Sequence, residues 1–160
     1  DYLTGTYNRR KLDKILLQKI HTSSDSHSFS AILIDINDFK SINDTYGHNI
    51  GDQALADTAG ILLSCSSPIN DIVARYGGDE FCLVSDIYKE EDLKDFVNKV
   101  QTALKSFNDS GKRPYNISFA MGYAVYNAES KMTVAELQKV LDEKMYKTKR
   151  VHHTEGISRL

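Results

Sequence analysis

The 160-residue sequence predicts an α+β domain with helices flanking a central, mainly antiparallel sheet. Three observations carry that expectation. The run Phe29-Ser30-Ala31-Ile32-Leu33-Ile34-Asp35-Ile36 is almost continuously apolar, as a central strand covered on both faces must be. Gly77-Gly78 separates two β-rich runs, Asp71 to Tyr76 and Phe81 to Ser85, and glycine supplies the positive φ that a tight hairpin turn demands. From about Glu90 to Phe107, the residues Leu93, Phe96, Val97, Val100, Leu104 and Phe107 form one apolar stripe at helical spacing.

The remaining elements follow in order. Asn8 is placed to cap a first helix in which Leu12, Ile15, Leu16 and Ile20 recur at helical spacing. A polar loop, His21 to Ser28, leads to the Phe29–Ile36 strand. A turn-rich segment through Gly51 precedes a helix from about Asp52 to Ser64, with Leu55, Ala59, Leu62 and Leu63 facing inward. The glycine hairpin supplies the second and third strands, and Asn108-Asp109-Ser110-Gly111 stops the long helix after it. A fourth strand spans about Tyr115 to Tyr126, where Gly122 marks a bulge or a close backbone approach. Thr133-Val134-Ala135-Glu136 is a capping box that opens the last helix. Residues 1–150 form the domain and 151–160 a polar tail.

The order α-β-α-β-β-α-β-α contains the split βαβ pattern of ferredoxin-like domains and nucleotide-cyclase palms, which stacks its helices on one face of the sheet. In that topology the first strand lies antiparallel to the third. Asp35, at the end of one, then adjoins Glu80, at the start of the other.

An apolar fraction of 41% and a charged fraction of 26% describe an ordinary globular domain long enough for a real core. The formal charge of −2 excludes a broadly basic face, so a nucleic-acid duplex is not the expected partner; a local basic cluster would still hold a nucleotide. Cys65 and Cys82 form no C-x-x-C pair and read as reduced thiols. No apolar run approaches the ~20 residues that span a membrane and no signal peptide opens the chain, so a cytoplasmic domain without membrane contact is expected. The abrupt start at Asp1 suggests a piece of a longer protein, with a sensory or regulatory region elsewhere and a membrane tether conceivable there.

Two close carboxylates repel each other unless a cation lies between them or one is protonated. Asp35 and Glu80 with the Ile36 carbonyl would suit a hard cation such as Mg²⁺, which takes one or two carboxylates plus substrate phosphates. The plain alternatives are that Asp35 ends a strand and that Asp79 and Glu80 are a solvated turn. In Asp38-Phe39-Lys40, backbone N–H groups and a lysine would cradle phosphates as a nest does. The Asn and Asp side chains from Asn43 to Asp52 offer donors and acceptors that read a guanine edge. Turn formation is the competing account, above all for Asp44. His48 reads as a packing or hydrogen-bonding residue, because no second histidine stands at ligand spacing.

These segments resemble the GGDEF domain of diguanylate cyclases. Arg75-Tyr76-Gly77-Gly78-Asp79-Glu80-Phe81 is its signature. Asp1-Tyr2-Leu3-Thr4-Gly5 with Asn8-Arg9-Arg10 is similar to its opening motif, Asp35 to Lys40 and Asn43 to Asp52 to its phosphate and base segment, and Asp142 to Lys149 to its closing helix. The likeness runs from Asp1 to about Arg150. It implies that Asp35, the Ile36 carbonyl and Glu80 bind Mg²⁺ or Mn²⁺, that Asn43 and Asp52 hold guanine, and that Phe39, Lys40 and Lys149 hold phosphates. Gly77 and Gly78 would lie against the substrate, and Asp79 would help deprotonate the ribose 3′-hydroxyl. Two GTP in a homodimer of facing half-sites would become cyclic di-GMP and two pyrophosphates. The alternative is a non-catalytic module of the same family that binds GTP or cyclic di-GMP as a receptor; an intact signature favours the enzyme. A purely structural ferredoxin-like interaction domain would make these coincidences accidental.

Departures stand at Asn37, Thr6 and Ala120, where the family commonly has aspartate, leucine and serine. His152-His153 replaces the usual Gly-Arg after Lys149. The inhibitory Arg-x-x-Asp motif reads Pro68-Ile69-Asn70-Asp71, with its arginine absent.

Overall fold

The computed structural model describes residues 1–24 and 27–158, with side chains through His152. Its elements are β1 (Tyr7–Asn8), α1 (Arg9–Thr22), β2 (Ser30–Ile36), α2 (Phe39–Tyr46), α3 (His48–Cys65), β3 (Asp71–Gly77), β4 (Glu80–Ser85), α4 (Glu90–Asp109), β5 (Phe119–Val125) and α5 (Val134–Ser158), with a 3-10 turn at Ala128–Ser130. The strands form one sheet in the order β1-β3-β4-β2-β5. All neighbouring pairs are antiparallel except β1 with β3. The α+β class and the mainly antiparallel sheet are as expected.

Every residue of β2 is buried, because helices cover both faces of the sheet. Ile32, Ile34 and Ile36 pack with Leu55, Leu62, Val97 and Val100 on the α3/α4 side. Ala31 and Leu33 pack with Leu12, Leu16, Leu137 and Met145 on the α1/α5 side. The ferredoxin-like core alone would stack its helices on one face. Here α1 and α5, the helices outside that core, close the second.

Local signals hold where side-chain chemistry is explicit. Asn8 caps α1 by accepting from the Lys11 N–H at 2.9 Å. The capping box closes in both directions, Thr133 N–H to Glu136 Oε2 at 3.0 Å and Glu136 N–H to Thr133 Oγ1 at 3.2 Å.

Other expectations are corrected. The segment through Gly51 is not merely turn-rich: α2 occupies residues 39–46, and α3 begins at His48 rather than Asp52. Ser, Asn, Asp and Thr compete with a helical backbone, which hid α2. Burial of Ile42 secures it, and Gly47 at φ 89° ends it, donating to the Asn43 carbonyl at 2.8 Å. In α3, Leu63 is exposed and Ile61 is buried instead. β1 is a two-residue strand, too short to show a period. The long helix reaches Asp109, and the last strand is shorter than expected, Phe119–Val125. The stretch expected as a polar tail continues α5 as far as Ser158.

The hairpin is not built as expected. Its two-residue loop is Gly78-Asp79, between the paired Gly77 and Glu80. Among the glycines, positive φ occurs at Gly5, Gly47 and Gly111, not at Gly77 or Gly78. The pairing shifts by a residue between Arg75 and Gly77, and that irregularity helps the chain turn.

β5 is an edge strand whose Met121 and Tyr123 carbonyls accept from α5, from Thr148 Oγ1 at 3.1 Å and Lys144 Nζ at 3.2 Å. Gly122, between them, shows no bulge but does show the close approach. A Cβ there would lie 2.1 Å from the Leu141 carbonyl oxygen and 2.5 Å from the Met145 nitrogen. Backbone cannot yield as a flexible side chain does. Gly122→Ala is therefore expected to destabilise the domain by about 2–3 kcal/mol, read as a fall in the urea midpoint; a midpoint equal to wild type would contradict this packing.

Candidate functional site

The antiparallel register of β2 and β4 sets Asp35 directly opposite Glu80. Asp35 continues the row of Ala31 and Leu33, and Glu80 the row of Cys82 and Val84, so both sit on the α1/α5 side. The Ile36 N–H donates to the Asp79 carbonyl at 3.2 Å, tying the hairpin loop to the end of β2. Asp35 is buried and Glu80 half-buried. From α5, Lys149 Nζ reaches Asp35 Oδ2 at 2.9 Å.

The site carries surplus negative charge. Burial raises the Asp35 carboxyl above its ordinary value; the Lys149 bond lowers it, and Asp79 and Asp142 push it up again. Glu80 is likewise raised, by burial first and then by Asp35 and Asp79. A hard cation would relieve both, and the donors are of the right kind: two facing carboxylates and the Ile36 carbonyl at the strand's end. Among the described residues no group of three or more His, Cys, Asp or Glu side chains is placed to hold a metal. A cation here would need further oxygens from water or phosphates, which is the habit of Mg²⁺.

Beyond β2 the backbone of Asp38 turns left-handed, φ 53° and ψ 32°, and opens α2. A non-glycine residue there costs about 1–2 kcal/mol, and such strain tends to collect where a site must be shaped. The first N–H groups of α2, from Phe39 and Lys40, have no intrahelical partner and form the concave face that suits an anion. Phe39 anchors this loop by packing on the core, while Lys40 is exposed. On α5, His152 stands one turn beyond Lys149, with Nε2 3.6 Å from Asp38 Oδ2.

Asn43 on α2 packs against the start of α3 at Gly51, the residue before Asp52. A Cβ on Gly51 would lie 1.8 Å from Asn43 Oδ1, so the missing side chain is what lets the Asn43 amide settle against α3, next to Asp52. Asp52 itself is exposed. One turn further along α3, Asp57 accepts from Arg113 at 2.8 and 3.0 Å and from the Tyr115 hydroxyl at 2.6 Å. Burial alone would raise the Asp57 carboxyl, but these bonds outweigh it and hold it below the ordinary value. They fix α3 against the segment that enters β5.

Gly77 and Gly78 leave the surface beside Glu80 bare: a Cβ on Gly77 would come within 3.4 Å of Glu80 Oε2, and one on Gly78 would meet nothing within 4 Å. Arg75 is committed to structure. It donates to the Gly78 carbonyl through Nε at 3.1 Å and Nη2 at 2.8 Å, and its Nη1 lies 3.5 Å from Asp1 Oδ1. Asp71 accepts from the Ser67 N–H at 2.7 Å. The unusual Thr6 is buried, with its hydroxyl bonded to Thr4 Oγ1 at 2.8 Å, and Asn37 bonds Ser118 Oγ at 2.8 Å. His48, expected to pack or to hydrogen-bond, is exposed at the start of α3, which leaves no packing role. Both cysteines are free and buried, and burial pushes the Cys82 thiol up to about 12. No described helix is long and apolar enough to cross a membrane.

Residues 1–155 match the family described as diguanylate cyclase, GGDEF domain. The bifunctional diguanylate cyclase/cyclic di-GMP phosphodiesterase MucR of Pseudomonas aeruginosa is 31% identical over 150 residues, covering 93% of this chain and 22% of that protein. Diguanylate cyclase DosC of Escherichia coli is 32% identical over 156 residues, covering 94% of this chain and 33% of the relative. The chain thus spans a third or less of the length of these curated relatives. Among solved structures, the GGDEF domain of TpbB (YfiN) from Pseudomonas aeruginosa matches with a TM-score of 0.82 at 26% identity, covering 94% of this chain and 88% of that one. DgcB of Caulobacter crescentus, solved with cyclic di-GMP, shares the fold with a TM-score of 0.83 at 23% identity, over 94% of this chain and 80% of its own.

Raised carboxyls make a prediction whose sign differs from the usual acid case. A carboxylate whose folded pKa lies above its unfolded one costs stability as pH rises through that interval, and the cost persists at neutral pH. Glu80→Gln removes that charge, so the metal-free variant should melt no lower than wild type at pH 7. Mg²⁺ at about ten times its dissociation constant should raise the Tm of the wild type by roughly 3–5 °C and leave the variant unmoved. An equal Mg²⁺ shift in both proteins would remove Glu80 from the metal site.

Proposed function

Because the chain belongs to the diguanylate cyclase GGDEF family, we propose that this domain condenses two GTP into cyclic di-GMP across a dimer of facing half-sites. The observation that supports it most is the pairing of Asp35 with Glu80 on one strand register, beside an intact signature loop. In each half-site the ribose 3′-hydroxyl of one nucleotide attacks the α-phosphorus of the other. Two ester P–O bonds form, two P–O bonds to the leaving groups break, and two pyrophosphates depart. A monomer holds only half of this arrangement and is inactive.

Asp35, the Ile36 carbonyl and Glu80 hold Mg²⁺ or Mn²⁺, which when bound supplies charge stabilisation at the phosphates and the attacking oxygen. Asp79, on the loop next to Glu80, assists removal of the 3′-hydroxyl proton. The Phe39 and Lys40 N–H groups and the Lys40 and Lys149 ammoniums receive the phosphates. Lys149 is paired with Asp35 in the structure, and a cation held between Asp35 and Glu80 would leave its ammonium available to a phosphate. Asn43 and Asp52 read the base: a carboxylate accepts from guanine's N1–H and 2-amino group, and adenine offers neither donor. Because GTP is the substrate, the domain works in the cytoplasm, with its sensory input in another part of the protein.

Turnover of labelled GTP by the domain, dimerised through a fused coiled coil, should yield cyclic di-GMP. ATP should be a poorer substrate by a factor of about 10–100, the worth of one or two hydrogen bonds to a charged group, since Asp52 is exposed and water can pair with it when the base does not, and Asn43→Ala should erode that ratio. Comparable turnover of ATP and GTP by the wild type would refute the assignment of Asn43 and Asp52.

Product feedback is expected to be weak. The arginine of the inhibitory motif is absent, and the Asp71 carboxylate is engaged with the Ser67 N–H. Without a guanidinium fork there is no bidentate contact for a product guanine or phosphate. Initial rates titrated with cyclic di-GMP should fall less than twofold at concentrations about ten times those of the enzyme. Potent inhibition that Asp71→Ala abolishes would show a working site there.

A further inference from the structure

A single residue, Gly47 at φ 89°, joins α2 to α3. Glycine is conformationally permissive, so the turn alone does little to fix the angle between the two helices. The segment Arg113-Pro114-Tyr115, which leads toward β5, touches both. On α2, the Tyr46 hydroxyl donates to the Pro114 carbonyl at 2.9 Å, and the Tyr46 and Tyr115 rings lie tilted, 6.2 Å between centroids. On α3, Asp57 Oδ2 accepts from Arg113 Nε at 2.8 Å and from the Tyr115 hydroxyl at 2.6 Å, and its Oδ1 accepts from Arg113 Nη2 at 3.0 Å. With Gln53 Nε2 3.2 Å from Oδ1, every acceptor position of the carboxylate is used. The Asp57 side chain is only 11% exposed, so water screens the pair little. Further along, the Asn108 side-chain amide exchanges hydrogen bonds with the Ile117 backbone at 2.8 and 2.9 Å, which anchors the segment to α4. The segment is thus a strap, held by α4 at one end and gripping α2 and α3 at the other.

We propose that Asp57 is a positioning residue for base recognition: by gripping the strap it fixes α3 against α2, and so sets how Asn43 and Asp52 stand relative to each other. The contacts fall close to both residues. Tyr46 is one turn beyond Asn43, and Gln53, bonded to Asp57, directly follows Asp52. Asp57 itself touches no substrate. The inference rests on the guanine reading above and deepens it. An asparagine at this position has one oxygen in place of two and no charge, so it cannot hold the guanidinium fork and the phenol together.

The test is titration calorimetry of the purified chain in Mg²⁺ with two probes, an α-thio analogue of GTP that resists turnover and inorganic triphosphate, which has no base. Asp57→Asn should weaken binding of the GTP analogue roughly five- to tenfold and leave triphosphate within about twofold. Tyr115→Phe removes one bond and keeps the ring, so it should cost the GTP analogue about two- to threefold; it carries the test if Asp57→Asn does not fold. Amide hydrogen exchange supplies a second readout: residues 43–52 should exchange faster in either variant, while β2 keeps its wild-type protection. Unchanged affinity for the GTP analogue in both variants would overturn the proposal. So would an equal loss for both probes, which marks general structural damage, or unaltered exchange between α2 and α3. A wild-type chain that binds the GTP analogue no more tightly than triphosphate would defeat the guanine reading, and the proposal with it; that outcome is read on the wild type alone.

Discussion

The register of β2 against β4 is the constraint on which the rest depends. Side chains alternate between the faces of a strand, so a one-residue slip of β2 would carry Asp35 from the α1/α5 side into the apolar α3/α4 core and part it from Glu80. Ile32, Ile34 and Ile36 forbid that slip, because each fills the core on its own side. The cost of holding two carboxylates face to face is thus borne by a hydrophobic lock several residues long. Lys149 alone does not offset it: both carboxyls stay raised. A site left short of positive charge in this way favours a further cationic neighbour.

What was legible in the sequence follows from how far each signal reaches. The meeting of Asp35 with Glu80 could be read from strand order, because topology fixes neighbours without reference to side-chain detail. The caps at Asn8 and Thr133 were legible because their chemistry lies within three residues. By contrast, α2 is written in Ser, Asn, Asp and Thr and depends on the burial of Ile42, a tertiary effect that a local pattern does not show. The apolar run of β2 announces cover on both faces, but not which helices supply it, since a stripe reveals that a helix packs and not on which face of the sheet.

The glycines show the same division. Their conformational freedom was expected to matter at Gly77-Gly78, yet it is used at Gly47 and not there. At Gly51 and Gly122 the absence of a side chain matters because another group occupies its space: the Asn43 amide in one case, the backbone of α5 in the other. Such vacancies depend on partners distant in the chain. Only the close approach at Gly122 was anticipated, and even there its partner was not.

The covering of β5 by α5 has a bearing on how copies of the domain can meet. An exposed edge strand offers its free carbonyl and amide groups as a template for another chain, and uncontrolled sheet extension is the usual penalty. On β5 the carbonyls of Met121 and Tyr123 are already taken by Thr148 and Lys144. Strand-by-strand growth from that side is discouraged. A blunted edge of this kind keeps the sheet from serving as a template for a further strand.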